Sequence, residues 1–195
     1  MKSENQTPPS FMEWQELTSL VGSIRTRSLV ARPTTVEQCR EALAYCRQHD
    51  LTICARGAGR GYGDLALNNG QALLDMSAMN RIIAFDEEAA QITVEAGMRL
   101  IDIYQAVHHR LLTLPASPTE SHSSVAGAIC ANVNGKDAWH HGSFARQVVN
   151  SCSREPWPPA RINASVSRVS RLTNRSSVRF TFLFILQLVL SAQCE

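Results

Sequence analysis

The run Arg56-Gly57-Ala58-Gly59-Arg60-Gly61-Tyr62-Gly63-Asp64 constrains this chain more than any other feature. Glycine stands at every second position, directly after the apolar run Leu51 to Ala55. Such a stretch loses too much backbone entropy to continue a strand or start a helix. It must be a loop, held in place by what flanks it. Glycines let backbone N–H groups turn inward and approach an anion without a Cβ in the way. Arg56 and Arg60 add charge suited to a pyrophosphate. The third glycine falls at the wrong spacing for the dinucleotide fingerprint, and no Gly-Lys-Ser/Thr follows as in a P-loop. On residue chemistry alone the run is either a phosphate-cradling loop or an ordinary glycine-rich turn.

The flanks read as α+β, with short strands and two or three helices. Residues 11–20 are expected to form a short amphipathic helix in an N-terminal extension, 1–27. Ser28 to Ala31 reads as a strand ended by Pro33, and Thr34 to Glu37 as a capping box. Val36, Cys39, Leu43 and Cys46 then recur at helical spacing as far as about His49. Leu51 to Ala55 completes a β-α-β start. Ala72 to Asp75, Arg81 to Phe85 and Gln91 to Glu95 read as strands, with a turn at Asp86-Glu87-Glu88. A second amphipathic helix carries Leu100, Ile103, Tyr104, Val107 and Leu111, and Val125 to Ala131 suits a short, closely packed helix.

The charge of +2 gives no reason to expect nucleic-acid binding. It conceals a split: residues 1–150 carry −2 and residues 151–195 carry +4. The tail has arginine as its only base and no glycine, and ends in 13 mostly apolar residues, Phe180 to Ala192. A membrane-spanning helix needs roughly 20, so no clear span is expected. The polar start, Met1 to Ser10, lacks the apolar stretch of a secretory leader, which points to the cytoplasm. The six cysteines have no C-x-x-C spacing and are expected as free thiols.

Other candidates for chemistry are weaker. His108-His109 and His140-His141 are adjacent pairs, which do not share a helix face, so surface or core roles are expected and no metal site. Glu95 and Asp102 have no evident acid/base partner and read as solvent-facing. Trp14 and Trp139 read as packing residues.

A set of motifs in order narrows the choice for the glycine run. They are Arg56 to Asp64, Asp75-Met76, Ala96-Gly97, Pro118-Thr119-Glu120, Ser124 to Ile129, Asn134-Gly135-Lys136 and Gly142-Ser143-Phe144. Together they resemble the flavin-binding half of the PCMH-type (vanillyl-alcohol oxidase) flavoprotein family, nearest its sugar-lactone and decaprenylphosphoryl-ribose oxidases. The resemblance covers residues 28–149 and implies the first subdomain of that FAD-binding fold, a small mixed sheet with flanking helices. It implies FAD binding by Arg56, Gly57, Ala58, Gly59, Arg60, Gly61, Tyr62, Gly63 and Asp64, with the pyrophosphate on the backbone N–H groups of Gly57 to Gly61. It implies that Tyr62, Met76, Thr119, Ser124, Gly127, Cys130 and Ala131 line the cofactor channel, with Lys136 nearest the flavin ring or substrate. The implied reaction is oxidation of a hydroxyl-bearing carbon of a sugar, sugar lactone or similar alcohol.

The departures from the family pattern are specific. Gly61 replaces a serine of the loop, Ala126 the first glycine of a Gly-Gly pair, and Asn134 the histidine before Gly-Lys. Arg60 stands where covalent-flavin members carry histidine, so the resemblance implies non-covalent FAD. From about Asn150 the likeness stops, and residues 150–195 read as an unrelated, possibly frameshifted tail on a truncated chain. The family keeps its substrate domain and usual acid/base residues beyond that point, so no catalytic residue is assigned. A non-catalytic nucleotide-binding module and a non-functional truncated product stand as the alternatives.

Overall fold

Why the glycine run can be a loop at all follows from the sheet beneath it. The computed structural model describes residues 7–136, 138–152, 185–189 and 191–192. Strand β2 (Arg25–Ala31) leads into helix α1 (Val36–Gln48) and back into strand β3 (Ile53–Arg56). The next strand, β4 (Ala72–Asp75), enters between β2 and β3 and runs parallel to both. Buried on both faces, the parallel strands read as continuous apolar runs such as Leu29-Val30-Ala31 and Leu73-Leu74. Cys39, Ala42, Leu43 and Cys46 lie on one face of α1 and share a core with Leu29, Ala31, Ala72 and Leu74. The cap of α1 sits one residue later than the sequence suggests. Thr35 Oγ1 accepts from the Gln38 N–H at 3.2 Å, and Gln38 Oε1 accepts from the Thr34 N–H at 2.7 Å.

The N-terminal helix expected over 11–20 is a strand instead. Strand β1 (Met12–Thr18) pairs antiparallel with β2, from Met12↔Ala31 to Thr18↔Arg25. From Trp14 onward its period is two: Gln15 and Leu17 are half-buried, whereas Trp14, Glu16 and Thr18 are exposed. Gly22, at φ +73°, lies in the turn that joins β1 to β2. Trp14 is 44% exposed rather than a packing residue, with the Arg27 guanidinium 5.7 Å from its ring centroid.

A second sheet begins with the antiparallel hairpin of β5 (Ile82–Asp86) and β6 (Gln91–Glu95), turning at Ala90 with φ +49°. Helix α2 (Leu100–Val107), the short strand β7 (Leu112–Thr113) and helix α3 (Val125–Cys130) follow. Next come α4 (Ala138–His141) and β8 (Val148–Cys152). From the apolar run near the C-terminus, β9 (Ile185–Val189) lies between β6 and β8, and β10 (Ser191–Ala192) pairs with β7. The Ser/Arg-rich stretch 161–179 lies outside the described residues. No described helix is long and apolar enough to cross a membrane. Ile92, Val94, Leu100, Ile103, Val107, Val125, Ala128 and Phe144 form the second core.

The two units meet at Gly97. A Cβ there would stand 1.8 Å from the Met76 carbonyl oxygen, so only glycine fits. Its N–H donates to the Met79 carbonyl at 2.8 Å. Ala126, the residue standing for a family glycine, packs against both cores with its methyl group. The architecture is the α+β arrangement the sequence implies, two small sheets with flanking helices.

Candidate functional site

The site lies beyond the carboxyl ends of the parallel strands, where open α/β sheets commonly bind ligands. Register places Arg56, the end of β3, level with Asp75, the end of β4. The glycine loop therefore leaves from one strand and Met76 from its neighbour. Asp75 accepts from the Ser77 N–H at 3.0 Å and from Arg32 Nε at 3.1 Å, which fixes the turn Met76–Ala78. Met76 is buried there.

One glycine of the loop is required by space and another by its backbone conformation. A Cβ on Gly57 would lie 2.0 Å from Ser124 Oγ, so loop and α3 meet through bare backbone. A Cβ on Gly59, at φ +68°, would lie 2.3 Å from Arg56 Nη2. Arg56 crosses the loop at that point, and its Nη1 donates to the Ala66 carbonyl at 2.9 Å on the returning limb. That limb is pinned in turn by Asn68, whose Nδ2 donates to the Ala72 carbonyl at 2.8 Å. Among the described residues, the N–H groups of residues 57–63 donate to no protein acceptor. Backbone donors without partners need water or a ligand, and here several sit together beside Arg60. Ala58 is half-buried, whereas Tyr62, Gly63 and Asp64 are exposed at the far end, Tyr62 at 81%.

The opposing wall is the segment 114–124, and it is tied down throughout. Gln147, itself buried, accepts from the Ala116 N–H at 3.1 Å and donates to the Ala116 carbonyl at 3.4 Å. Pro118 bridges to Gly135. Glu120 bonds Arg60 Nη2 at 2.8 Å, joining the segment to the glycine loop. Ser124 caps α3, its Oγ accepting from the Gly127 N–H at 3.3 Å. The first two N–H groups of α3, from Val125 and Ala126, donate to the carbonyls of Met98 and Ala96. Thr119 is exposed beside Glu120.

Of the residues expected to hold a cofactor, Arg56 to Asp64, Met76, Thr119, Ser124 and Gly127 are thus linked into one region. Cys130 and Ala131 lie exposed at the C-terminal end of α3, and Lys136 is exposed in the turn after Gly135. These three form no hydrogen bond with the glycine loop among the described residues. Gln147 and Gly97 are supports that no sequence reasoning assigned. Gly97 stands in a matched motif, but Gln147 carries no local signal, being 31 residues from its partner.

Three other expectations change. Glu95 is buried at 2% exposure, not solvent-facing, and accepts from the Arg81 N–H at 2.8 Å and from Arg81 Nη2 at 2.6 Å. Asp102 is half-buried and paired with Arg99 at 2.8 Å. Trp139 is 86% exposed rather than packed. Cys39, Cys46, Cys54 and Cys130 are free. Burial pushes the Cys39 thiol up to about 12 and that of Cys46 to about 11, so neither is a thiolate nucleophile at neutral pH.

The open N–H groups, the glycine positions without room for a Cβ and the flanking arginines fit a pyrophosphate. Comparison with known proteins agrees. The family described as FAD binding domain matches residues 28–151. Decaprenylphosphoryl-beta-D-ribose oxidase of Mycolicibacterium smegmatis is 38% identical over 96 residues, which are 49% of this chain and 21% of that protein. L-gulonolactone oxidase of Bos taurus is 34% identical over 118 residues, 60% of this chain and 26% of that protein. Among solved structures, alkyldihydroxyacetonephosphate synthase superimposes with a TM-score of 0.64 at 13% identity, over 88% of this chain and 36% of its own. Cholesterol oxidase from Brevibacterium sterolicum gives 0.58 at 23% identity, over 68% and 27%. These two likenesses show the fold. The chain spans about a quarter of the length of the curated relatives it matches. Through residues 28–151 the chain belongs to the family described as FAD binding domain.

Proposed function

We propose that the chain holds FAD non-covalently, as the cofactor-binding part of an oxidoreductase acting on a hydroxyl-bearing carbon of a sugar, sugar lactone or similar alcohol. The observation that carries the cofactor reading is the set of N–H groups in residues 57–63 that find no protein acceptor among the described residues. In this reading those of Gly57 to Gly61 take the pyrophosphate, and Arg60 adds charge-assisted bonds. Ser124 holds α3 against Gly57, keeping the floor of the site rigid. Met76 and Thr119 border the cofactor channel. Lys136 lies toward the flavin ring or substrate, where its ammonium favours negative charge.

When bound, the flavin supplies the redox chemistry, accepting a hydride at N5. The residues of this chain bind and orient; none is assigned as acid or base. The substrate class rests on the likeness to the lactone and ribose oxidases. Non-covalent attachment is supported by Arg60, since the run Arg56 to Asp64 contains no histidine. We further read residues 150–195 as an unrelated tail, in line with a family match that ends at residue 151. A cytoplasmic setting is in keeping with the free thiols of Cys39, Cys46, Cys54 and Cys130.

The test is purification of the full chain with flavin. The expected result is a yellow protein whose FAD stays bound through gel filtration and is released intact by denaturation. No turnover of sugar lactones is expected from this chain by itself. A folded, colourless protein that takes up ADP but no flavin would overturn the reading in favour of a nucleotide-binding module. Flavin that remains on the denatured chain would overturn the non-covalent part alone.

A further inference from the structure

Arg60 does not face the glycine loop alone. Its Nη2 is 2.8 Å from Glu120 Oε2, and the other carboxylate oxygen accepts from the His122 N–H at 2.7 Å. The His122 ring nitrogen Nδ1 stands 3.4 Å from that oxygen. The carboxylate is therefore fixed from two sides, at the rim where the two walls approach. The His122 N–H first, and then Arg60, hold the Glu120 carboxyl below the usual carboxylate range, so it is ionised at neutral pH. Any anion that Arg60 bonds lies within one guanidinium's width of this fixed negative charge.

The rest of the cradle is indifferent to what a phosphate is attached to. Backbone N–H groups bond a phosphate oxygen equally well in the middle of a molecule or at its end. Selection between such anions must come from charge, and like-charge repulsion grows with the charge of the ligand. A pyrophosphate esterified at both ends carries about two charges, whereas ADP and ATP carry about three and four at neutral pH.

Resting on the FAD reading above, we propose that Glu120 is a specificity determinant. It admits a doubly esterified pyrophosphate and disfavours nucleotides with terminal phosphates. The arrangement selects by repulsion of the wrong ligand as well as by attraction of the right one. No other described carboxylate is paired with a loop arginine: Glu95 is engaged by Arg81 and Asp75 by Arg32.

The test is calorimetric titration of the full chain with FAD, ADP and ATP at one fixed ionic strength. Wild type is compared with Glu120→Gln and Glu120→Ala, two neutral replacements at a site 42% exposed. We expect FAD to tighten about twofold, ADP about threefold and ATP about fourfold, in step with their charges, so that the preference for FAD over ADP falls in both variants. An unchanged preference, with FAD still bound by wild type and variants, overturns the role of Glu120 and leaves the FAD reading intact. Absence of FAD binding by wild type overturns both.

Discussion

The glycine loop and the segment 114–124 face each other, yet they are built on opposite terms. In the first, the N–H groups of residues 57–63 have no protein acceptor among the described residues, and two glycines adopt positive φ. In the second, Ala116, Pro118, Glu120 and Ser124 are each tied to another part of the molecule. The tied wall sets the width of the cleft, and the open wall supplies the bonds. A loop that satisfied its own donors could not offer them to an anion. A loop with open donors needs a rigid neighbour to hold its shape.

Breaking the tied wall gives the largest effect. Gln147→Leu removes both bonds to Ala116 and leaves a buried N–H and C=O unpaired, at a cost of about 2–4 kcal/mol in urea unfolding. Unchanged stability would mean that the clamp is not what holds this wall. Gly57→Ala brings a methyl group against Ser124 and is expected to cost about 1–3 kcal/mol. FAD affinity should drop about tenfold or more, equivalent to ~1.4 kcal/mol. Ser124→Ala loses only the cap of α3, about 1 kcal/mol, and the comparison is sharpened if FAD binding weakens less here than in Gly57→Ala.

The open wall also allows a gain. Among the described residues only Leu65 Cβ, at 3.4 Å, faces a Cβ added to Gly61, so Gly61→Ser restores the family hydroxyl at no more than about 0.5 kcal/mol in stability. Its FAD affinity, read by flavin fluorescence, should rise by about 1 kcal/mol. The smallest effect concerns the contact between the walls. Glu120 has a lowered folded value, so its stabilising contribution is complete above its unfolded value of about 4.3. It is lost as pH falls through the lower folded value. A stability profile of Glu120→Gln should lack that acid-side loss, and superimposable profiles would assign the clasp no energetic role.

Much of the first unit was legible because its signals are local. The apolar face of α1 and the continuous apolar β4 declare themselves within a few residues, as does the turn at residues 86–88 in the second unit, whereas the cap of α1 falls one residue beyond the expected position. The strand β1 did not, because the segment's few apolar residues satisfy a helical count as readily as an alternating one. Pairing with β2, which only the fold supplies, decided the matter. Glu95 looked solvent-facing because its partner Arg81 lies across a strand pairing rather than on a helix face. For the candidate site, the glycine loop and Ser124 stood out by composition and motif. Gln147 could not, since an amide that clamps a backbone 31 residues away leaves no periodic mark.

The insertion of β4 between β2 and β3 also sets an order of events for the emerging chain. Neither neighbour has a parallel partner until residues 72–75 exist, because β2 and β3 each pair only with β4 on that side. A nascent chain that has just finished the glycine loop thus holds a hairpin, a helix and an unpaired strand, but no sheet floor. At about 5–20 residues per second of synthesis, that exposed interval lasts for roughly a second, and it closes with the same strand that delivers Met76 to the cleft.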